Sequence, residues 1–517
     1  MRCASWPWRH TALVGLALLA CGRAEKPAVV ADPSSERVLA SGRVVGFTNG
    51  DGAHVWRGIP FAAPPVGPLR WRAPQPPAKW EGVRRADQFG ARCMQAGGGG
   101  GRQGGPPPQP ISEDCLYLNV WTPANAASDK LPVIVWSYGG AFTGGSGSLP
   151  QYDGEQLARK GVIFVTYNYR LGPFGFYAHP ELSKESGHKA SGNYGMMDLV
   201  AALQWVQKNI AAFGGDPGRV TLMGESAGGA LIQTVVASAQ AKGLFRRAIS
   251  QSAPVRIERM ATLEEAEQTG RQAAEKLGAT SLADLRLKSA EEIQKGLAGG
   301  RPIVDGWYLT DDVSTLITEG KSNDVDVLVG SNRDEGGFPF FGVPKGNAQE
   351  FTAAVRERFG AQSDTFLKLY PTGSDAESNA SQLAAFRDEV AWSVRSWAAA
   401  RARKGKAYLF YFTHEPPAAT GQPSRGAIHT AEIPYTLNNA TPAWTAADRA
   451  LAETMTSYWV NFAKTGDPNG QGLPAWPAFK DGASAELMIF GPKVEAGRAL
   501  DPARVALFDA QNKAQRR

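Results

Sequence analysis

Long apolar runs, blocks of like charge, histidines and cysteines are all scarce in this chain of 517 residues. The longest apolar run near the start, "TALVGLALLA" at 11–20, is too short to span a bilayer, and no later stretch is long and apolar enough to do so. No arginine- or lysine-rich block is present, and the formal charge is only +6, so nothing supports binding to nucleic acid. With 20% charged and 43% apolar residues the balance is that of an ordinary globular protein. Six histidines leave few candidates for any chemistry that needs an imidazole, and four cysteines leave little choice of disulfide.

Arg2 and Arg9 ahead of the apolar run give residues 1–20 the pattern of a secretory signal. Its removal takes two arginines and no acid from the chain, leaving a formal charge of +4. Cys21, in "LLAC", resembles the lipobox cysteine of bacterial lipoproteins and is the expected lipidation site; cleavage a little later, after "GRA", is the alternative. Export follows in either case, to the periplasm or outer membrane with a possible membrane tether through Cys21, or to the medium. Cys3 leaves with the signal, so Cys93 and Cys115 remain to pair in an oxidising compartment. Closing that ring of about 23 residues, which includes "GGGGGRQGGPPPQP", stabilises a fold by roughly 3 kcal/mol on the chain-entropy account.

Residues 21–35 read as a linker, and residues 36–510 as one domain without internal repeats. From about residue 131 buried strands alternate with helical patterns: "PVIVWS", "GVIFVTYNYR", "RVTLMG", "FRRAISQS", "VDVLVGS" and "AYLFYF" are strands, while "MMDLVAALQWVQKNIAAF" and "ALIQTVVASA" are helices. That alternation predicts an α/β architecture, a large and mainly parallel sheet flanked by helices, with ligands beyond the carboxyl ends of the strands. Polar helical stretches around 262–298 and 349–404 are expected as insertions over the sheet.

In "VTLMGESAGGA" the run Gly-x-Ser-x-Gly stands between a strand and a helix, the context of a nucleophile elbow with Ser226 at its tip. A serine hydroxyl needs a base to take its proton, and the base needs an orienting acid. In this architecture the order is serine, acid, histidine. "VDVLVGSNRDEGG" supplies Asp334 and Glu335 on one turn, between which spacing does not choose; His414, just after "AYLFYF", and His429, in "RGAIHTAEIPY", are the two histidines downstream, with the longer loop favouring His429. The oxyanion of acyl transfer needs N–H donors, each worth about 10²–10³ in rate. Ala227 supplies one, and the glycine-rich "WSYGGAFTGGSGS" offers Gly140 and Ala141.

Together these segments resemble the type-B carboxylesterase family, which includes cholinesterases and bacterial para-nitrobenzyl esterases. "GRVVGFTNGDGAHVWRGIPFAAPPVGPLRWRAPQP", "EDCLYLNVW", "NYRLGPFGF", "FGGDPGRVTLMGESAGG" and "NFAKTGDPN" carry the likeness over most of the chain. The resemblance implies a single α/β-hydrolase domain with helical insertions over the active site, a triad of Ser226, Glu335 and His429, an oxyanion hole from Gly140, Ala141 and Ala227, and a Cys93–Cys115 disulfide. It assigns His414 to a position without a catalytic role.

The implied activity is that of a serine carboxylesterase acting on small-molecule esters through an acyl-enzyme, with no metal or cofactor. A lipase or aromatic-ester hydrolase of the same fold is the alternative, and a non-catalytic adhesion relative is the reading from a different class. Because the base starts neutral, the rate is expected to rise through about pH 6–7. Residues 94–114 contain no aromatic side chain, which argues against a choline-ester specialist. The oxyanion loop reads "GGAF" rather than "GGGF", a type that the resemblance associates with esters of bulky alcohols. "FPFFG" at 338–342 reads equally as an aromatic surface of the site or as core. Acyl preference and oligomeric state are not legible.

Overall fold

The computed structural model describes residues 29–50, 52–96, 109–124, 127–254, 259–297, 300–418, 422–482, 485–498 and 500–515. The proposed signal, Cys21 and most of the glycine-proline tract lie outside the described residues. An eleven-stranded sheet forms the centre of the molecule. Its strands are β1 (Phe47–Thr48), β2 (His54–Pro60), β3 (Tyr117–Thr122), β4 (Leu131–Ser137), β5 (Ile163–Tyr167), β6 (Gly215–Glu225), β7 (Arg247–Gln251), β8 (Asp326–Asn332), β9 (Ala407–Phe412), β10 (Leu487–Phe490) and β11 (Val494–Gly497). They lie in the order β11-β10-β9-β8-β7-β6-β4-β5-β3-β2-β1. Every pairing from β5 through β10 is parallel, and the antiparallel pairs are confined to the two ends of the sheet.

The parallel strands are unbroken apolar runs because both faces are covered. Val133, Ile134, Val135 and Trp136 of β4 and Val327, Leu328 and Val329 of β8 are fully shielded from solvent. The covering helices include α1 (Tyr194–Asn209), α2 (Ala227–Ala237), α3 (Leu263–Lys276), α4 (Ala348–Phe359), α5 (Asp375–Ala402), α6 (Ala446–Thr465) and α7 (Pro502–Gln515). Helix α1 buries residues all round, as an element packed within the core must, whereas α3 is largely polar and buries only Gly270 and Ala274. Capping boxes set the starts of α3 (Thr262 with Glu265), α4 (Asn347 with Glu350) and α6 (Thr445 with Asp448).

The helices expected as insertions behave differently from one another. Those after residue 262 pack on the main core through Ala274, Leu282, Leu285 and Ile293, while α4, α5 and α7 also enclose a separate apolar cluster containing Phe359, Phe366, Trp392 and Phe508. No helix among the described residues is long and apolar enough to cross a membrane.

Candidate active site

Four parallel strands deliver the site from their carboxyl ends. Strand β4 runs into the loop holding Gly140 and Ala141, β6 into Ser226, β8 into Glu335, and β9 into the long connection holding His429. Since parallel strands end on the same edge of the sheet, loops distant in sequence meet there.

Ser226 has a positive φ, 55° with ψ −126°, between β6 and α2. That costs a non-glycine residue about 1–3 kcal/mol and is tolerated only where neighbours enforce it. The two flanking glycines explain the enforcement. A side chain on Gly228 would lie 2.0 Å from the Ser137 carbonyl oxygen, and one on Gly224 would lie 2.7 Å from the same atom. Strand β4 and the elbow therefore touch backbone to backbone. Gly139 completes this packing, because a Cβ there would come within 2.9 Å of Ser226 Cβ. Ser226 itself is half-buried, and its N–H donates to the Gln251 carbonyl at 2.9 Å.

The N–H groups of Gly140, Ala141 and Ala227 have no acceptor among the described residues. Ala227 begins α2, where no carbonyl within the helix can accept its hydrogen. Ala141 and Phe142 both have positive φ, 55° and 64°, so alanine is held where glycine would be unstrained. The loop is fastened at Phe142, whose carbonyl accepts from Gly172 N at 2.7 Å.

Opposite this backbone lies a cluster of buried ionisable side chains. His429, 4% exposed, places Nδ1 2.6 Å from Glu335 Oε2. Glu335 Oε1 accepts from Asn332 N at 2.9 Å, which leaves the other oxygen to orient the ring. Among the described residues His429 Nε2 makes no hydrogen bond, although Glu225 Oε1 lies 3.1 Å away without the alignment for one. Glu432 is also buried; Gln251 Nε2 and Asn332 Nδ2 donate to its two oxygens at 3.0 and 2.6 Å.

Burial favours the uncharged imidazole, but Glu225, Glu335 and Glu432 together outweigh it at His429 and raise the ring to about 9. Burial also holds the Glu225 carboxyl well above its ordinary value, against the pull of His429, and raises Glu432. Glu225 and His429 thus both keep protons more tightly than in water. The carboxyl groups around the ring thus favour the imidazolium, against what burial alone would do.

The sequence alternatives separate cleanly. Asp334 salt-bridges Arg333, accepts from Ala427 N at 2.8 Å, and so fastens the backbone of the loop that carries His429. His414 bonds Asp448 at 2.7 Å. Sequence reasoning missed Glu225 and Glu432; the signal available for Glu225 was its place beside Ser226 at the end of a buried strand. The aromatic segment faces the site: the rings of Phe338 and Phe341 lie 5.6 and 5.0 Å from the His429 ring. Cys93 and Cys115 form a disulfide.

Two cavities flank the site. One of about 420 Å³ is lined by Phe142, Ala230, Met260 and Ile303, and one of about 720 Å³ by Phe340, Phe341, Phe351 and Phe386, with Pro254 and Arg301 bordering both.

A sequence model described as the carboxylesterase family matches residues 34–508. The chain belongs to the carboxylesterase family. It is similar to a fumonisin B1 esterase of Sphingopyxis macrogoltabida, with 39% identity covering 91% of this chain and 88% of that protein. It is also similar to the para-nitrobenzyl esterase of Bacillus subtilis (strain 168), with 37% identity covering 87% and 93%. A solved PNB esterase structure superposes with a TM-score of 0.80 at 33% identity, covering 93% of this chain and 99% of that one. This carboxylesterase is therefore a type-B member with the α/β-hydrolase fold, and a carboxylic ester hydrolase.

Proposed function

We propose that this carboxylesterase works on small-molecule esters through an acyl-enzyme on Ser226, with His429 as base and Glu335 as the acid that orients it. The observation that carries the proposal is the buried 2.6 Å contact of His429 Nδ1 with Glu335 while Nε2 is left without a hydrogen bond. When Nδ1 donates its hydrogen to Glu335, Nε2 of the neutral ring presents a lone pair. Ser226 Oγ attacks the ester carbonyl carbon as its proton passes to Nε2, and the carbonyl electrons move to oxygen, where the N–H groups of Gly140, Ala141 and Ala227 stabilise the anion. Collapse breaks the bond to the alcohol oxygen, which takes the proton from His429. Water then repeats the sequence on the acyl-enzyme and restores Ser226.

The apolar and aromatic walls of the two flanking cavities suit esters with bulky acyl or alcohol parts. The alanine of the oxyanion loop extends this expectation to tertiary alcohols, and an absence of turnover on tert-butyl acetate would remove that extension. A fluorophosphonate probe tests the central reading. It should label the purified protein once, at Ser226, and leave Ser226→Ala unlabelled; equal labelling of both would overturn the assignment. Export with lipid attachment at Cys21 is part of the same proposal, tested by incorporation of radiolabelled palmitate that Cys21→Ser abolishes.

A further inference from the structure

We propose that Gln95 is a positioning residue that couples the Cys93–Cys115 disulfide to the oxyanion loop, so that the bridge supports the rate of ester hydrolysis and not the fold alone. The inference rests on the reading above that Gly140 and Ala141 donate to the oxyanion.

Gln95 stands two residues after Cys93 and is 6% exposed. Its side-chain amide pairs with one backbone residue in both directions: Nε2 donates to the Gly145 carbonyl at 3.0 Å, and Gly145 N donates to Oε1 at 3.1 Å. The same Nε2 also donates to the Cys93 carbonyl at 3.0 Å. One planar group thus joins the half-cystine backbone to the oxyanion loop.

Gly145 is not a remote point of that loop. The Gly140 carbonyl accepts from Thr143 N at 3.0 Å and Gly144 N at 3.1 Å, closing a turn whose next residue is Gly145. Gly145 has φ 114°, and a Cβ on it would meet the Tyr138 ring at 2.5 Å and the Gly139 carbonyl at 2.7 Å. It therefore bears directly on the segment leading into Gly140. A second strut reaches the other half-cystine: Asn168 Oδ1 accepts from Gly147 N at 3.0 Å, while its Nδ2 donates to the carbonyls of Ala91 and Cys115 at 3.0 and 3.2 Å. Both ends of the disulfide are tied to the loop through a side-chain amide.

The loop needs such ties because residues 138–149 contain no helix or strand that would hold them in place. Oxyanion donors act only at hydrogen-bond distance from where the charge develops, and a misplacement of about 1 Å can cost about 10²-fold in rate. Glutamine is suited to the task because an amide supplies the donor and the acceptor together. A glutamate keeps the acceptor for Gly145 N but, when ionised, loses both donations, and a methionine of similar length loses all three bonds.

The test compares Gln95→Met and Gln95→Glu with the parent enzyme on p-nitrophenyl butyrate, and measures inhibition by an aryl trifluoromethyl ketone, which forms a tetrahedral oxyanion on serine. Gln95→Met should lower kcat by about 10- to 100-fold with KM within about threefold, and weaken the ketone by the same factor as kcat/KM. Gln95→Glu should fall between. Cys93→Ser/Cys115→Ser should lower kcat in the same direction, and adding Gln95→Met to it should cost less than Gln95→Met alone. Parent values of kcat and ketone affinity in either folded Gln95 variant would overturn the proposal, as would a lowered melting temperature with kcat intact. A failure of the underlying reading looks different: the parent enzyme itself would then not bind the ketone, or Ser226→Ala would still turn over.

Discussion

The two sides of the cleft are built from different materials. On the side of β4 and β6 the chemistry rests on backbone: strained turns, N–H groups without acceptors among the described residues, and glycines that let chain touch chain at Ser137, Gly224 and Gly228. On the side of β8 and β9 it rests on buried side chains, with Glu335 bonded to His429 and Glu432 held by Asn332 and Gln251, while Glu225 reaches toward the ring from the end of β6. A backbone site fails when something is added, and a side-chain site fails when a charge or hydrogen bond is taken away.

The largest effects fall where the two sides meet. Ser226→Ala and His429→Ala should each lower kcat by about 10⁴–10⁶, and the double variant by no more than either alone, since the groups act as a unit. Steady-state rates on p-nitrophenyl acetate check this, and additive losses would break the pairing of the two sides. Glu335→Gln should cost about 10⁴ in kcat with the fold intact, as expected when the orienting carboxylate is lost but its shape is kept.

Gly228→Ala probes the backbone side. Its methyl would overlap the Ser137 carbonyl, so the expected loss is in stability, about 1–3 kcal/mol or more, read as a lower melting temperature. Glu225→Gln probes the buried side chains instead. His429 must be neutral to accept a proton, so a raised imidazole means that activity is lost as pH falls through that raised value. Removing the strongest single charge acting on the ring should move the acid limb of kcat/KM to lower pH, toward the ordinary histidine value of about 6.5. An unmoved limb would show that Glu225 carries no charge when His429 titrates. The smallest effect belongs to Ala141→Gly, where relief of about 1–2 kcal/mol of left-handed strain is set against about 0.5–1 kcal/mol of extra chain entropy, a balance read from the melting temperature.

The same division decides what was legible in the sequence. The elbow could be read because everything that makes it is local: an apolar strand, a serine between glycines, then a helix. The alternating strands and helices from residue 131 could be read for the same reason. Asp334 and Glu335 could not be told apart by spacing, because the choice is made by a loop about ninety residues on, which takes one carboxylate at the Ala427 backbone and the other at the His429 ring. Gln95 gave no signal at all, since its meaning lies in a glycine fifty residues away. The separate cluster around Phe359 and Trp392 was equally hidden, because it needs α7 from the end of the chain.

Asp448 does three jobs with one carboxylate. It starts α6 through Thr445, holds Tyr435 at 2.6 Å, and holds His414 at 2.7 Å. Burial opposes its charge, but these hydrogen bonds prevail and bring it down to about 2. Its contribution is complete above the ordinary carboxylate range and drains away as acid carries the solution down through that value. The segment between His414 and Thr445 is therefore buckled at both ends by a single anion, and strong acid should unfasten the strap bearing the imidazole.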